Sequence, residues 1–161
     1  MLSITKNSKG FTLIELLVAL VLLALLVSSA APLMQMTAKR NKEQELKKSL
    51  WQIRDAIDAY KQAADDGVIK KAADQSGYPA SLQQLVIGVE DIQDPKKHKI
   101  FFMRNIPRDP FSADLTITAE GTWGKRSYIS SFDKPEEGED VYDVYSLSHE
   151  TGINQQPYSE W

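Results

Sequence analysis

The chain has 161 residues, of which 42% are apolar and 25% charged, and it shows no internal repeat. These values suit one globular domain and exclude both wholesale disorder and a polytopic membrane protein. A net charge of −3 argues against a nucleic-acid binder driven by phosphate neutralisation, so no nucleic-acid partner is expected. The absence of cysteine removes disulfides, thiolate metal sites and cysteine nucleophiles together.

The composition is uneven along the chain. Among the first 38 residues only Lys6, Lys9 and Glu15 are charged. Phe11 to Ala31 form 21 positions in which Glu15 is the one charge and Thr12, Ser28 and Ser29 are the other polar side chains. As a helix this run would be about 31 Å long, against a hydrocarbon core of about 30 Å, so it can cross a bilayer once. Two ordinary readings compete. A cleaved secretory signal would use Lys6 and Lys9 as its basic region and Ser28-Ser29-Ala30-Ala31 as its small-residue cut site, releasing a soluble binding domain that starts near Ala31. The apolar run exceeds the usual signal core, however, and Pro32 stands just beyond the candidate cuts. A plain anchor explains the length and the lysines but not Glu15. A carboxylate inside a membrane helix costs up to about 2.5–3.5 kcal/mol at the bilayer centre, which marks it as a functional residue in need of a cationic partner.

Lys9-Gly10-Phe11-Thr12-Leu13-Ile14-Glu15, after a short basic leader and before the apolar run, resembles the processing signal of the type IV pilin superfamily. That resemblance implies cleavage between Gly10 and Phe11 by prepilin peptidase on the cytoplasmic side and N-methylation of the new Phe11 amine. It also implies a partner for Glu15: the α-amino group of Phe11 on a neighbouring subunit, met on assembly. Pro32, the 22nd residue after the cut, is where pilin helices commonly kink. The lysines stay cytoplasmic by the positive-inside tendency, which puts the C-terminal bulk across the membrane.

From Gln35 onward the pattern remains helical but becomes amphipathic, with Leu46, Leu50, Ile53, Ile57, Tyr60 and Ala64 at alternating spacings of four and three. Glu43/Lys47 and Asp58/Lys61 pair on the opposite face, and Gly67 is the expected stop. A helix continuous from Phe11 to Ala64 would extend roughly 81 Å, bent where Pro32 removes a hydrogen bond.

Gly77 to Gly88 reads as a short helix that buries Leu82, Leu85 and Val86. Val89 to Lys99 reads as a charged surface loop, with Lys96-Lys97-His98-Lys99 a solvated basic turn. Ile100 to Met103 is too short to assign, and Asp109-Pro110 marks a turn. Leu115–Ala119, Lys125–Ser131 and Asp140–Leu147 read as three strands of one antiparallel sheet. His149 stands near Ser146 and Ser148, but no nucleophile elbow, phosphate loop or metalloprotease pattern accompanies it, so no enzyme activity is expected.

The head also resembles the major, G-type pseudopilins of type II secretion systems. The carrying pieces are Gly77-Tyr78-Pro79, Ile106-Pro107-Arg108-Asp109-Pro110-Phe111, Trp123-Gly124-Lys125-Arg126-Ser127-Tyr128, the Asp140–Leu147 run and the terminal Pro157–Trp161. The resemblance implies an α+β, pilin-like fold in which one long N-terminal helix packs on a small antiparallel head. The expected divisions are a leader at 1–10, a transmembrane and filament-core helix at 11–32, its amphipathic half at 33–66, and the head at 67–161. The implied role is a structural subunit of a periplasmic pseudopilus. Its implied partners are other copies of itself, minor pseudopilins, prepilin peptidase, an inner-membrane assembly platform and, through that platform, a cytoplasmic ATPase. A type IV pilus or competence pilin would share the processing and the filament core.

G-type pseudopilins commonly hold calcium in the loop after the last strand. At that place this chain reads Leu147-Ser148-His149-Glu150-Thr151-Gly152, and the candidate ligands are the Leu147 carbonyl, Glu150 and Asn154. One carboxylate is sparse for an ion that takes six to eight oxygens. The other reading is a loop held by its own hydrogen bonds, with Tyr158 and Trp161 packed back on the head. Residues 133–161 carry eight acids against one lysine, whereas residues 39–71 carry nine bases and six acids. The two regions of neighbouring copies are therefore complementary in sign, as head-to-tail contacts in an open filament require, or else each is simply solvated.

Overall fold

The computed structural model describes residues 10–72 and 75–161, with the side chains of residues 29–32 left out of the description. The leader before Gly10 lies outside it, as does the geometry of the Pro32 ring. Helix α1 spans Leu13–Asp65, and the chain divides into two compact units at Lys39/Arg40.

In the first unit, every large apolar side chain described from Phe11 to Met36 is at least half exposed. Among the described residues of the unit nothing covers this surface, as contact with lipid or other protein would. It is long and apolar enough to cross a membrane. Its hydroxyls are satisfied inside the helix, with Ser28 Oγ donating to the Ala24 carbonyl at 2.8 Å and Thr37 Oγ1 to that of Leu33 at 2.9 Å. Such back-bonding is how polar side chains are accommodated in an apolar helix.

The second unit is organised on the remaining part of α1. Leu46, Leu50, Ile53, Ile57, Tyr60 and Ala64 are all buried, so the stripe read from spacing is the core face of the helix. Each such aliphatic side chain contributes about 1.5–3 kcal/mol on burial. The helix ends in a Schellman motif: Gly67, at φ +68°, donates to the Ala64 carbonyl, and Val68 donates to that of Ala63. A side chain at Gly67 would be strained at that φ.

Helix α2, Leu82–Ile87, is shorter than expected and buries Leu82 and Leu85, with Val86 partly covered. The segment read as a plain loop contains a small hairpin, β1 (Val89–Glu90) antiparallel to β2 (Lys99–Ile100). Its turn is built on Asp94, which accepts the Lys96 and His98 amides at 2.9 and 3.1 Å and meets the His98 ring. Sequence hydropathy gave no sign of this hairpin because its strands are only two residues long. Phe102 and Met103 follow, both donating backbone N–H groups to the Leu85 carbonyl.

Leu115–Ala119 is not a strand. Arg108 donates to the Asp114 and Ile117 carbonyls, both at 2.7 Å, and Asp114 accepts the Thr116 amide and hydroxyl. These local bonds consume the groups a ladder needs. The second expected strand shifts forward to β3, Trp123–Arg126, and the third shortens to β4, Asp143–Ser146. The pair is antiparallel, with Trp123 opposite Ser146 and Arg126 opposite Asp143. β3 stops because the next amides leave the ladder: Ser127 donates to the Glu136 carbonyl and Tyr128 to the Asp140 carboxylate. The described residues therefore hold two separate two-stranded sheets, not one three-stranded sheet. The α+β character and the long helix stand.

Candidate functional site

At the start of α1, Thr12 is the residue before the first helical turn and Glu15 lies three positions later, the arrangement of a capping box. The Thr12 amide and hydroxyl both donate to Glu15 Oε2 at 2.9 Å, and the Glu15 amide donates to Thr12 Oγ1 at 3.3 Å. The carboxylate also sits at the positive end of the helix dipole. Among the described residues Glu15 therefore has a neutral partner, Thr12, and no cation. Phe11 is 83% exposed beside it, preceded by Gly10, around whose Cα a side chain would meet nothing. Phe11 and Glu15 stand four positions apart in the chain.

A second cluster lies where the closing segment meets α1. Glu43 Oε1 accepts the Ile153 amide at 2.7 Å and the Tyr158 hydroxyl at 2.9 Å. Arg54 donates through Nε to Asp143 at 2.8 Å, and through Nη2 to the carbonyls of Val144 at 3.1 Å and Trp161 at 2.8 Å. Lys47 stands 4.6 Å from the Trp161 ring centroid. Tyr158 is fully buried, stacks on Phe111 at 4.1 Å and meets Trp161 edge-on. Burial, reinforced by Glu43, pushes its phenol well above the ordinary tyrosine range. The expectation that Tyr158 and Trp161 pack back on the head is met.

Of the three candidate calcium ligands, Asn154 is engaged with Gln156. The Asn154 amide group donates to Gln156 Oε1 and its Oδ1 accepts the Gln156 amide, while Leu147 and Glu150 are exposed. Among the described residues no group of three or more His, Cys, Asp or Glu could hold a metal ion.

A third cluster escaped sequence reading. Asp109, read as part of a turn, is buried; its carboxylate accepts the Phe111 amide at 2.7 Å and the Ser146 hydroxyl at 2.5 Å. Its own amide donates to Thr122 Oγ1, and Trp123 Nε1 donates to the Pro107 carbonyl. This knot ties the Ile106–Phe111 run to both strands of the β3/β4 pair. No local signal distinguishes it from a surface turn. His98 and His149 are exposed and far apart in sequence from each other, and the serines near His149 are engaged elsewhere: Ser146 with Asp109, Ser148 with the Glu150 amide.

Residues 5–31 match the family described as the prokaryotic N-terminal methylation motif. Over most of its length the chain is similar to proteins named type II secretion system core protein G. The one from Klebsiella michiganensis is 24% identical over 130 residues, covering 78% of this chain and 84% of the relative. That from Dickeya chrysanthemi is 24% identical over 157 residues, covering 92% and 95%. That from Escherichia coli K12 is 24% identical over 131 residues, covering 79% and 83%. No solved structure gave a significant match.

Proposed function

We propose that this chain, a pilin-like protein of the N-methylation class and a pseudopilin of type II secretion, is cut between Gly10 and Phe11, methylated on the Phe11 amine, and built into a periplasmic filament that helps drive protein export. As a pseudopilin it is a self-assembling, membrane-anchored part of a secretion machine whose head faces the periplasm. We read its role as structural and not catalytic.

The observation that carries this reading is Glu15, in the first turn of a helix whose apolar surface is uncovered. In a lone subunit the carboxylate rests on Thr12. Cleavage creates a cation at Phe11, and in a stack of subunits that α-amine of one copy meets Glu15 of the next. The α-amine brings a full opposite charge to the carboxylate, where Thr12 offers only neutral donors. The exchange of partners favours the stacked state and sets the axial register. The same stacking covers the apolar side chains from Phe11 to Met36. On this reading the leader stays cytoplasmic, and the subunit is handled by prepilin peptidase, an inner-membrane platform driven by a cytoplasmic ATPase, and minor pseudopilins.

Intact mass and N-terminal sequencing of the protein from membranes of a host with prepilin peptidase test the proposal. The expected mature form begins at N-methylated Phe11. An uncut Met1, or a start near Ala31, refutes it.

A further inference from the structure

We infer that the closing loop of this chain, residues 147–161, is fastened to α1 by the Glu43 carboxylate, where the resemblance to G-type pseudopilins implies a calcium ion, and that the head folds without a divalent cation. The argument rests on which way the polar groups point. A calcium site needs lone pairs converging on one centre, at least six of them. Here the converging groups are donors. The Ile153 N–H and the Tyr158 O–H both aim at Glu43 Oε1, the arrangement of an anion receptor, and a cation placed at that oxygen would face two positive dipole ends.

Much of the loop's other hydrogen bonding is internal. Gly152 donates to the Gln156 carbonyl, Gln155 to that of Gly152, and Tyr158 to that of Glu150, while Thr151 and Pro157 form a bridge. Asn154, the neutral candidate ligand, is bonded twice to Gln156. It also shares its cleft with Lys47 and Arg54, whose charges oppose the arrival of a third cation. Glu43 is thus a positioning residue: an internal anion that holds the loop at Ile153 and Tyr158 while Arg54 holds the terminal carbonyl of Trp161.

Hydrogen exchange on the full chain in detergent micelles tests this, in millimolar CaCl2 against EGTA. The wild type is expected to show the same exchange at Ile153 and Tyr158, and the same melting midpoint, in both buffers. Glu43→Ala is expected to speed exchange across 150–158 by about tenfold or more in either buffer, since two bonds to a charged acceptor are lost. Glu43→Gln keeps the shape and should fall between. Tyr158→Phe keeps the buried ring and the Ile153 bond, and should loosen the loop less than Glu43→Ala. Slower loop exchange or a higher midpoint of the wild type in calcium overturns the inference without any variant. Unchanged exchange in Glu43→Ala overturns it as well. Both readouts are independent of whether the chain is cleaved or assembled.

Discussion

Replacing Asp109 by alanine should be among the most damaging single changes in the head. Two donors lose their acceptor: the hydroxyl of Ser146, which is fully buried, and the amide of partly buried Phe111. A buried donor left unsatisfied costs about 1–3 kcal/mol, so the pair places the loss at roughly 2–4 kcal/mol, with the Phe111 amide at the lower end. For a unit of this size about 1 kcal/mol corresponds to roughly 4 °C, and the midpoint should fall by about 8–16 °C. The assay is near-ultraviolet circular dichroism on the full chain in detergent, since Trp123 in β3 reports the head and the apolar half of α1 is silent there. Ser146→Ala alone should cost less, because the carboxylate keeps the Phe111 amide. The double variant should be less destabilised than the sum of the singles by about 1–2 kcal/mol, as for residues in direct contact. A drop under about 2 °C for Asp109→Ala, or strict additivity of the pair, would refute the claim that this carboxylate ties the β3/β4 pair to the Ile106–Phe111 run.

Gly124 lies opposite Tyr145, and a Cβ built there would come within 2.3 Å of the tyrosine ring. Gly124→Ala should therefore destabilise the head by about 1–3 kcal/mol, and Tyr145→Ser in the same chain should recover most of it; denaturant melts of the four proteins decide. The Tyr158 phenol is raised by burial first and by Glu43 second. Because its folded value exceeds the unfolded value of about 10, the stability it reflects is fully present below pH 10 and declines as pH rises above it. Tyrosinate absorbance should show Tyr158 ionising last and together with unfolding, a step that Tyr158→Phe abolishes; ionisation alongside exposed tyrosines contradicts its burial. Asp94 is held below the usual carboxylate range, first by the Lys96 amide and then by the His98 amide. Its depressed value means the turn it organises is intact above the ordinary carboxylate range and opens as pH falls through the folded value, which amide shifts of Lys96 and His98 in an acid titration will follow. Glu15→Gln keeps the size and a capping acceptor but not the charge, so the subunit should still be cut before Phe11 yet fail to enter filaments, as read by the ratio of polymer to monomer after membrane extraction.

What could be read from the sequence was whatever is decided locally. The six-residue stripe from Leu46 to Ala64 obeys helical spacing because one face of one helix is buried, and Gly67 ends the helix because its own φ is positive. The Gly10–Glu15 motif is equally local. The errors lie where side-chain hydrogen bonds override what composition suggests. Leu-Thr-Ile-Thr-Ala has the composition of a strand, yet Arg108 captures the Ile117 carbonyl and that of neighbouring Asp114, and Asp114 the Thr116 amide. The fastening residues were illegible for the same reason. Glu43 and Arg54 look like ordinary charges on the polar face of an amphipathic helix, and their partners stand about 90 to 115 positions away.

On the proposed function, in which α1 joins the head to a filament, that distance carries a mechanical meaning. Any load that reaches the head must arrive through the part of α1 that belongs to the second unit. An apolar stripe alone resists separation but is indifferent to sliding, because burial is non-directional. Directional bonds supply what the stripe lacks. Arg54 reaches two points of β4 and the last residue, and Glu43 holds the closing loop at two more. A slip of one helical turn along α1 would break all five while keeping much of the apolar contact. The charged residues on this helix are thus what fix the head to one position along it, and the stripe supplies the strength with which it stays there.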